Sequence, residues 1–431
     1  MVAVNRVAGP MILTLLMVAA APAVGRADDL PWAIVDEHGV LRWEDTRSEV
    51  CLWGVNYYAP FSISYANLNR TDTDPGQAVD QDLAHFSRMG LDAIRLHVFD
   101  REISTADGNL ILNDHLAVLD YLLLRARERR IRVVLTPIAW WYAPGTNGFS
   151  DHYTKDQLVR DPEARRAQAR YLRQFMLHRN PYTDLVYGQD PTIVAIEIIN
   201  EPEYEPDTTD DEIVRYANEM AQAIRSTGAH QPIFYSDWNG RHEVIRRAKV
   251  DGATFGWYPT GLQSGRSLTR NYLPVLGTHP TLAEAPEGKA RIVYEFDAAD
   301  VPGGYVYPAM ARAFRSGGVQ IATQFQYDPL GTAAYNSDWD THYLNLIYTP
   351  RKAMGFVIAG EVFRRTALFA PAQRQGLDAK APDGAAGPFE DVTIDAPTDT
   401  VVLNTPEVFM YSGTTDAEPR NPGRLERVAG Y

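Results

Sequence analysis

Thr192-Ile193-Val194-Ala195-Ile196-Glu197-Ile198-Ile199 runs directly into Asn200-Glu201-Pro202. The run is apolar, rich in β-branched residues and not strictly alternating, the pattern of a parallel strand buried on both faces. Asn200 and Glu201 therefore stand where a buried strand emerges from a core. A second apolar run, Arg291-Ile292-Val293-Tyr294, also ends on a carboxylate, Glu295.

Outward from these two runs the chain repeats one unit. Strand patterns fall at Val50–Asn56, Ala93–Val98, Arg132–Ile138, Ile193–Ile199, Pro232–Ser236, Ala253–Trp257, Arg291–Tyr294 and Gln320–Tyr327. Amphipathic stretches separate them. Val79, Leu83, Phe86 and Met89 share a helical face that ends at Gly90, and Leu116 to Arg130 is leucine-rich with a basic end. Asp161-Pro162-Glu163 is a helix start, with Ile213, Tyr216, Met220 and Ile224 striping another helix and residues 340–364 the last. Eight strand–helix units over about 310 residues predict an α/β fold, a (β/α)8 TIM barrel. A doubly wound open sheet is the rival, but no Gly-x-Gly-x-x-Gly follows any strand. In such barrels the site lies at the C-terminal strand ends, where both Glu201 and Glu295 fall.

The flanks differ from the barrel. Residues 30–48 read as a short N-terminal hairpin turning at Glu37-His38-Gly39. Arg6, the apolar stretch Met11 to Ala20 and small residues up to Ala23 or Ala27 form an export signal, too short to span a bilayer. The expected division is therefore 1–27 signal peptide, 28–367 barrel domain and 368–431 small β-rich segment and tail, the last with strand-like runs at 392–394, 401–403 and 408–411. A secreted or periplasmic location follows, with no membrane span. The formal net charge of −14 argues against nucleic acid and suits a neutral ligand. Cys51 is the single cysteine, so no internal disulfide forms, and its apolar setting predicts an inert thiol. The acids Asp207, Asp210, Asp211 and Glu212 read as the negative first turn of a helix, with a calcium site as the alternative.

Two carboxylates at strand ends of one barrel are what glycosidic bond cleavage requires: one protonates the leaving oxygen and the other attacks the anomeric carbon. Ile196 to Pro202 resembles the fourth-strand signature of clan A glycoside hydrolases, in particular family 5, the cellulases and β-mannanases. Asn180-Pro181-Tyr182-Thr183 and Tyr187 to Ile193 resemble the approach to that strand in the mannanase-like branches. The resemblance runs from about residue 50 to 365 and implies Glu201 as acid/base, Glu295 as nucleophile and retention of configuration. It implies Asn200 on the sugar 2-hydroxyl, and Arg95 and Tyr258 as donors to the nucleophile. For Arg95 a structural pair with Glu197 is the alternative; His97 is either a site wall or a structural histidine. Glu197, about four residues deeper at roughly 3.3 Å per residue, fits a buried ion pair. Glu284 and Glu287 are rival nucleophiles, and Asp297 a possible support.

The chain departs from the family pattern in three places. Gly256 stands where a His-x-Tyr histidine is common, Ile138 to Tyr142 lacks the strand-three histidine, and Thr323 to Asp328 lacks the strand-eight tryptophan. Tyr57, Tyr58, Trp140, Trp141, Trp238, Trp257, Tyr327 and Trp339 lie at or beyond strand ends and suit a saccharide cleft, or else cap the core. Of these Trp140, Trp141, Trp257 and Tyr327 are taken as sugar contacts. The expected protein is a secreted, retaining, monomeric hydrolase of a β-linked glycan, β-mannan or β-glucan favoured, with an oligo- or polysaccharide as its partner and no metal or organic cofactor. A transglycosylase using the same residues and a non-catalytic carbohydrate-binding barrel are the alternatives.

Overall fold

The computed structural model describes residues 30–141, 146–262, 268, 271–276, 279–339 and 342–370, and the strand residues 392–395, 400–404 and 409–412. The predicted signal peptide, the stretch 371–391 and the tail beyond 412 lie outside them.

A hairpin, β1 (Ala33–Val35) with β2 (Leu41–Trp43), precedes eight barrel strands. These are β3 (Leu52–Asn56), β4 (Ala93–His97), β5 (Arg132–Thr136), β6 (Ile193–Glu197), β7 (Ile233–Ser236), β8 (Gly252–Trp257), β9 (Ala290–Phe296) and β10 (Ile321–Gln324). They pair in parallel in chain order, and β10 closes onto β3. Every residue of β3 to β7 is buried, which is why these strands read as continuous apolar runs rather than alternating ones. The (β/α)8 barrel expected from the sequence is the fold.

Two apolar cores organise the barrel. The larger fills the space between strands and helices. The smaller, with Leu52, Ala93, Val134, Phe234, Ile292 and Ile321, lies at the strand starts beneath Ala33 and Leu41 of the hairpin. Gln320 ties the hairpin down, its carbonyl accepting from Leu41 N at 2.6 Å and its amide donating to Leu41 O at 2.8 Å. The bottom of the barrel is thus plugged, and the opposite rim is left for chemistry.

Local signals place the helices. Asp161 accepts from the Glu163 and Ala164 backbone N–H groups and starts Pro162–Leu177. Thr209 and Glu212 form a capping box for Asp210–Arg225, and Asp210, Asp211 and Glu212 make its acidic first turn. Asp207, Asp210 and Asp211 also face Arg160, Arg241 and Arg247.

The last helix is shorter than predicted: it begins at Pro350, not near residue 340. Leu344 instead bridges Tyr327 as a strand would, and the Asn345 side chain accepts from Ile347 N and Tyr348 N to form a turn before Pro350. β12 (Thr400–Asn404) pairs antiparallel with both β11 (Val392–Asp395) and β13 (Phe409–Ser412). β12 and β13 lie against the helix Pro350–Arg365.

Candidate active site

Strand β4 supplies the centre of the site. The side chains of Arg95 and His97 point into the lumen, two residues apart, as strand period dictates. The guanidinium of Arg95 is fully buried. Its Nε donates to Glu197 Oε2 at 2.9 Å, and Nη2 donates to the same carboxylate and to Asn200 Oδ1 at 2.9 Å. Its Nη1 donates to Glu295 Oε1 at 2.9 Å and to Asn56 Oδ1 at 3.0 Å. The two roles weighed for Arg95 are therefore one geometry, since the same fork holds Glu197 below and Glu295 above. Burial opposes the charge on Arg95, but Glu197 and Glu295 more than offset it and keep the guanidinium protonated. Glu197 is further held by Thr136 at 2.7 Å and by Thr254.

Glu295 collects donors. Besides Arg95, the Tyr258 hydroxyl donates to Oε2 at 2.7 Å, and His97 Nε2 lies 3.3 Å from Oε1. Burial and the charge of Arg95 hold the His97 imidazole well below its usual range, so it is neutral. Its Nε2 faces two acceptors, Glu295 Oε1 and Asn200 Oδ1 at 3.0 Å, which assigns the hydrogen to that nitrogen.

Glu201 is treated differently. It follows the end of β6 with a φ of +39° and is half-buried, with Tyr294 donating to its Oε1 at 2.6 Å. Burial and then the negative charge of Glu201 push Glu295 up to about 8, against the pull of Arg95 and Tyr258. A cation, a phenol and an imidazole N–H nevertheless surround Glu295 and favour its carboxylate form.

Asn200 completes the floor. Its Oδ1 is taken by Arg95 and His97, while its buried Nδ2 finds no acceptor among the described residues. The buried Tyr58 hydroxyl is likewise unpaired there, with its ring 5.0 Å from that of His97. Unsatisfied buried polar groups beside a carboxylate pair are what a hydroxyl-rich ligand would satisfy.

The predicted aromatics divide. Trp141 and Trp339 are exposed at the rim with ring centroids 6.5 Å apart, and Phe325, from the stretch lacking the strand-eight tryptophan, lies 5.7 Å from Trp339. Trp140 is half-buried beside Trp141, and Lys155 Nζ sits 4.9 Å and 4.8 Å from the two ring centroids. Trp238, 41% exposed, donates to Pro202 O at 2.8 Å on the Glu201 side.

Two expected sugar contacts are corrected. Trp257 points outward, since Gly256 and Tyr258 take the lumen side, and packs on His279 and Phe314 behind the wall. Tyr327 is fully buried; its hydroxyl meets His85 Nδ1 at 2.7 Å and its ring packs on Phe86. Tyr57 is buried too, donating to Asp82 at 2.6 Å. Glu284 has a side chain 78% exposed on the surface, Glu287 is also exposed, and neither joins the cluster. Asp297 accepts from Tyr307 at 2.9 Å and pairs with His342 and Lys352, bracing the end of β9. Tyr294 and Lys155 were missed by sequence reasoning. Lys155 carries no motif, and Tyr294 sits next to Glu295, where regular alternation admits only one of the two to the lumen.

The fold and these groups define a (β/α)8 barrel with paired carboxylates at the ends of its fourth and seventh strands. The family model described as Cellulase (glycosyl hydrolase family 5) matches residues 60–264. The mannan endo-1,4-beta-mannosidase 1 of Oryza sativa subsp. japonica is 25% identical over 282 residues, 61% of this chain and 61% of that protein, under two thirds of its length. Among solved structures, the endo-1,4-beta-mannanase from Rhizomucor miehei matches 77% of this chain and 99% of its own, at 17% identity and a TM-score of 0.55. The exo-beta-1,4-mannosidase from Opitutaceae bacterium strain TAV5 matches 83% and 68%, at 17% identity and a TM-score of 0.59. The family 5 match thus covers a little under half of the chain, and the solved mannanase structures share its barrel fold.

Proposed function

We propose that this chain is an exported, retaining hydrolase of a β-1,4-linked glycan, with mannan as the favoured polymer. The observation that carries the reading is the unequal supply of donors to two neighbouring carboxyls. Arg95, Tyr258 and His97 surround Glu295, while among the described residues Tyr294 alone donates to Glu201. In the first step Glu295 attacks the anomeric carbon. The bond to the glycosidic oxygen breaks, and that oxygen takes the proton of Glu201. In the second step water attacks the same carbon, gives its proton to Glu201 and frees Glu295. Asn200 Nδ2 meets the sugar hydroxyl beside the reacting carbon. The double displacement needs no metal or organic group. Mannan is favoured because relatives named for mannan align with this chain. Export rests on the leader-like residues 1–27.

The test is release of reducing ends from β-mannan, β-glucan and xylan by the mature protein, beside Glu295→Gln and Glu201→Gln. Release from mannan, lost by at least about a thousandfold in Glu295→Gln, is expected. Equal activity in that variant would refute the nucleophile assignment. No release by a folded wild-type protein, with new oligosaccharides formed instead, would favour glycosyl transfer.

A further inference from the structure

Tyr294 and Glu295 are consecutive on one strand, and strand alternation would send them to opposite faces. Both nevertheless serve the lumen, because β9 carries a bulge between them. On one edge Phe255 pairs with Val293 and Gly256 with Glu295, so Tyr294 is skipped. On the other edge Ala322 pairs with Val293 and Gln324 with Phe296, with a register shift between. A bulge is the device by which a strand re-aims a side chain. The carbonyl of Tyr294 is held by Asn56 Nδ2 at 2.8 Å and Thr323 Oγ1 at 2.7 Å.

The Tyr294 phenol reaches the carboxyl of Glu201, 2.6 Å from Oε1, and its ring lies 4.6 Å from the Arg95 guanidinium carbon. The room for it comes from Gly256 on the neighbouring strand. A Cβ there would fall 2.8 Å from the Tyr294 hydroxyl and 3.1 Å from its Cζ, closer than side chains tolerate. The lumen position where a histidine is common in the family is therefore filled from β9 instead. Burial and the charges of Glu201 and Glu295 push the phenol well above its ordinary range, so it remains a donor.

We infer that Tyr294 is a positioning residue for the proton that Glu201 delivers, and that Gly256 is required to admit it. The inference rests on the reading of Glu201 as the acid. With Oε1 engaged as an acceptor, the proton of Glu201 sits on Oε2. The phenol thus fixes the plane of the carboxyl and selects the oxygen that protonates the leaving group. In the second step the same Oε2 receives the proton of water.

Tyr294→Phe keeps the ring over Arg95 and removes only the hydroxyl. Its kcat/KM is compared on mannopentaose, whose sugar leaving group needs a proton, and on 2,4-dinitrophenyl β-mannobioside, whose phenolate does not. A fall of about 10- to 100-fold on mannopentaose is expected, against less than about threefold on the aryl substrate. Gly256→Ala should show the same split, and the double variant should be little worse than Tyr294→Phe alone. Equal falls on both substrates, or no fall, would overturn the inference. Glu201→Gln and Glu295→Gln are measured alongside. If Glu295→Gln is inactive on both substrates and Glu201→Gln fails on mannopentaose alone, the proposed function stands whatever Tyr294→Phe does. If wild type cleaves neither substrate, both readings fall together.

Discussion

Arg95 and Glu197 form an ion pair beneath the candidate site in which neither side chain reaches solvent. The carboxylate accepts from Arg95 and from the hydroxyls of Thr136 and Thr254. Burial without these partners would cost more than the Coulomb attraction returns. Glu197→Gln leaves the guanidinium half-paired and sets an amide N–H against donors. A loss of about 3–5 kcal/mol in urea unfolding is expected, with weaker activity, because the same fork positions Glu295. An unchanged unfolding midpoint would show that the pair anchors nothing.

Tyr258 tests the other side of Glu295. Its hydroxyl donates to Oε2 at 2.7 Å and pulls the carboxyl down against burial and Glu201. In Tyr258→Phe the Glu295 carboxyl rises further. The acidic limb of the pH profile of kcat/KM then moves to higher pH, since more base is needed to ionise the nucleophile. The maximum should fall about 10- to 100-fold, the weight of a hydrogen bond to a charge. A lowered maximum with an unmoved limb would mean that Tyr258 contacts substrate rather than tuning Glu295.

The sequence carried the barrel because its strands are buried on both faces, and burial of that kind writes itself as apolar runs. The eight predicted strands overlap the eight observed ones. What it could not carry was side-chain direction where regular alternation breaks. Tyr294 looked like the last apolar residue before Glu295, and only the bulge lets both of them face the lumen. Trp257 and Tyr327 looked like rim aromatics because they sit at strand ends, yet parity sends Trp257 outward and Tyr327 packs under the helix Pro75–Arg88. Arg95 was legible as a donor to Glu295 or a partner of Glu197. That it is both depends on a guanidinium having two edges to offer.

Behind β10 lies a group of acids that the proposed reaction does not use. Asp82 is fully buried, accepts from Tyr57 at 2.6 Å and from Leu330 N at 2.9 Å, and is pushed up to about 7 by burial, with Asp338 adding to the rise. Asp328 and Asp338 are raised as well, by burial first. A carboxyl raised in the folded state contributes stability that is complete below its unfolded value and lost as pH rises through the folded one. Asp82 thus weakens the protein as pH climbs from about 4 through about 7. Asp82→Asn mimics the protonated form and should be at least about 3 °C more stable than wild type at pH 8, with little difference at pH 4.5. A constant difference across that range would rule out Asp82 as the titrating group.

The rim aromatics predict how chain length enters. Trp141 and Trp339 are 37% and 40% exposed, and their rings meet edge to face at 6.5 Å. Flat exposed rings gain from covering the apolar face of a sugar, and they gain equally in the ground and transition states. Truncation should therefore raise KM and leave kcat nearly unchanged. Trp339→Ala is expected to raise KM for β-mannan about three- to tenfold, the worth of roughly 0.7–1.4 kcal/mol of stacking. The effect should shrink on oligosaccharides too short to reach the rim. Lys155 holds Trp140 and Trp141 from beneath, so Lys155→Met should act in the same direction through a loosened Trp141. If Trp339→Ala lowers kcat with KM fixed on every chain length, the ring is part of the reacting subsite instead.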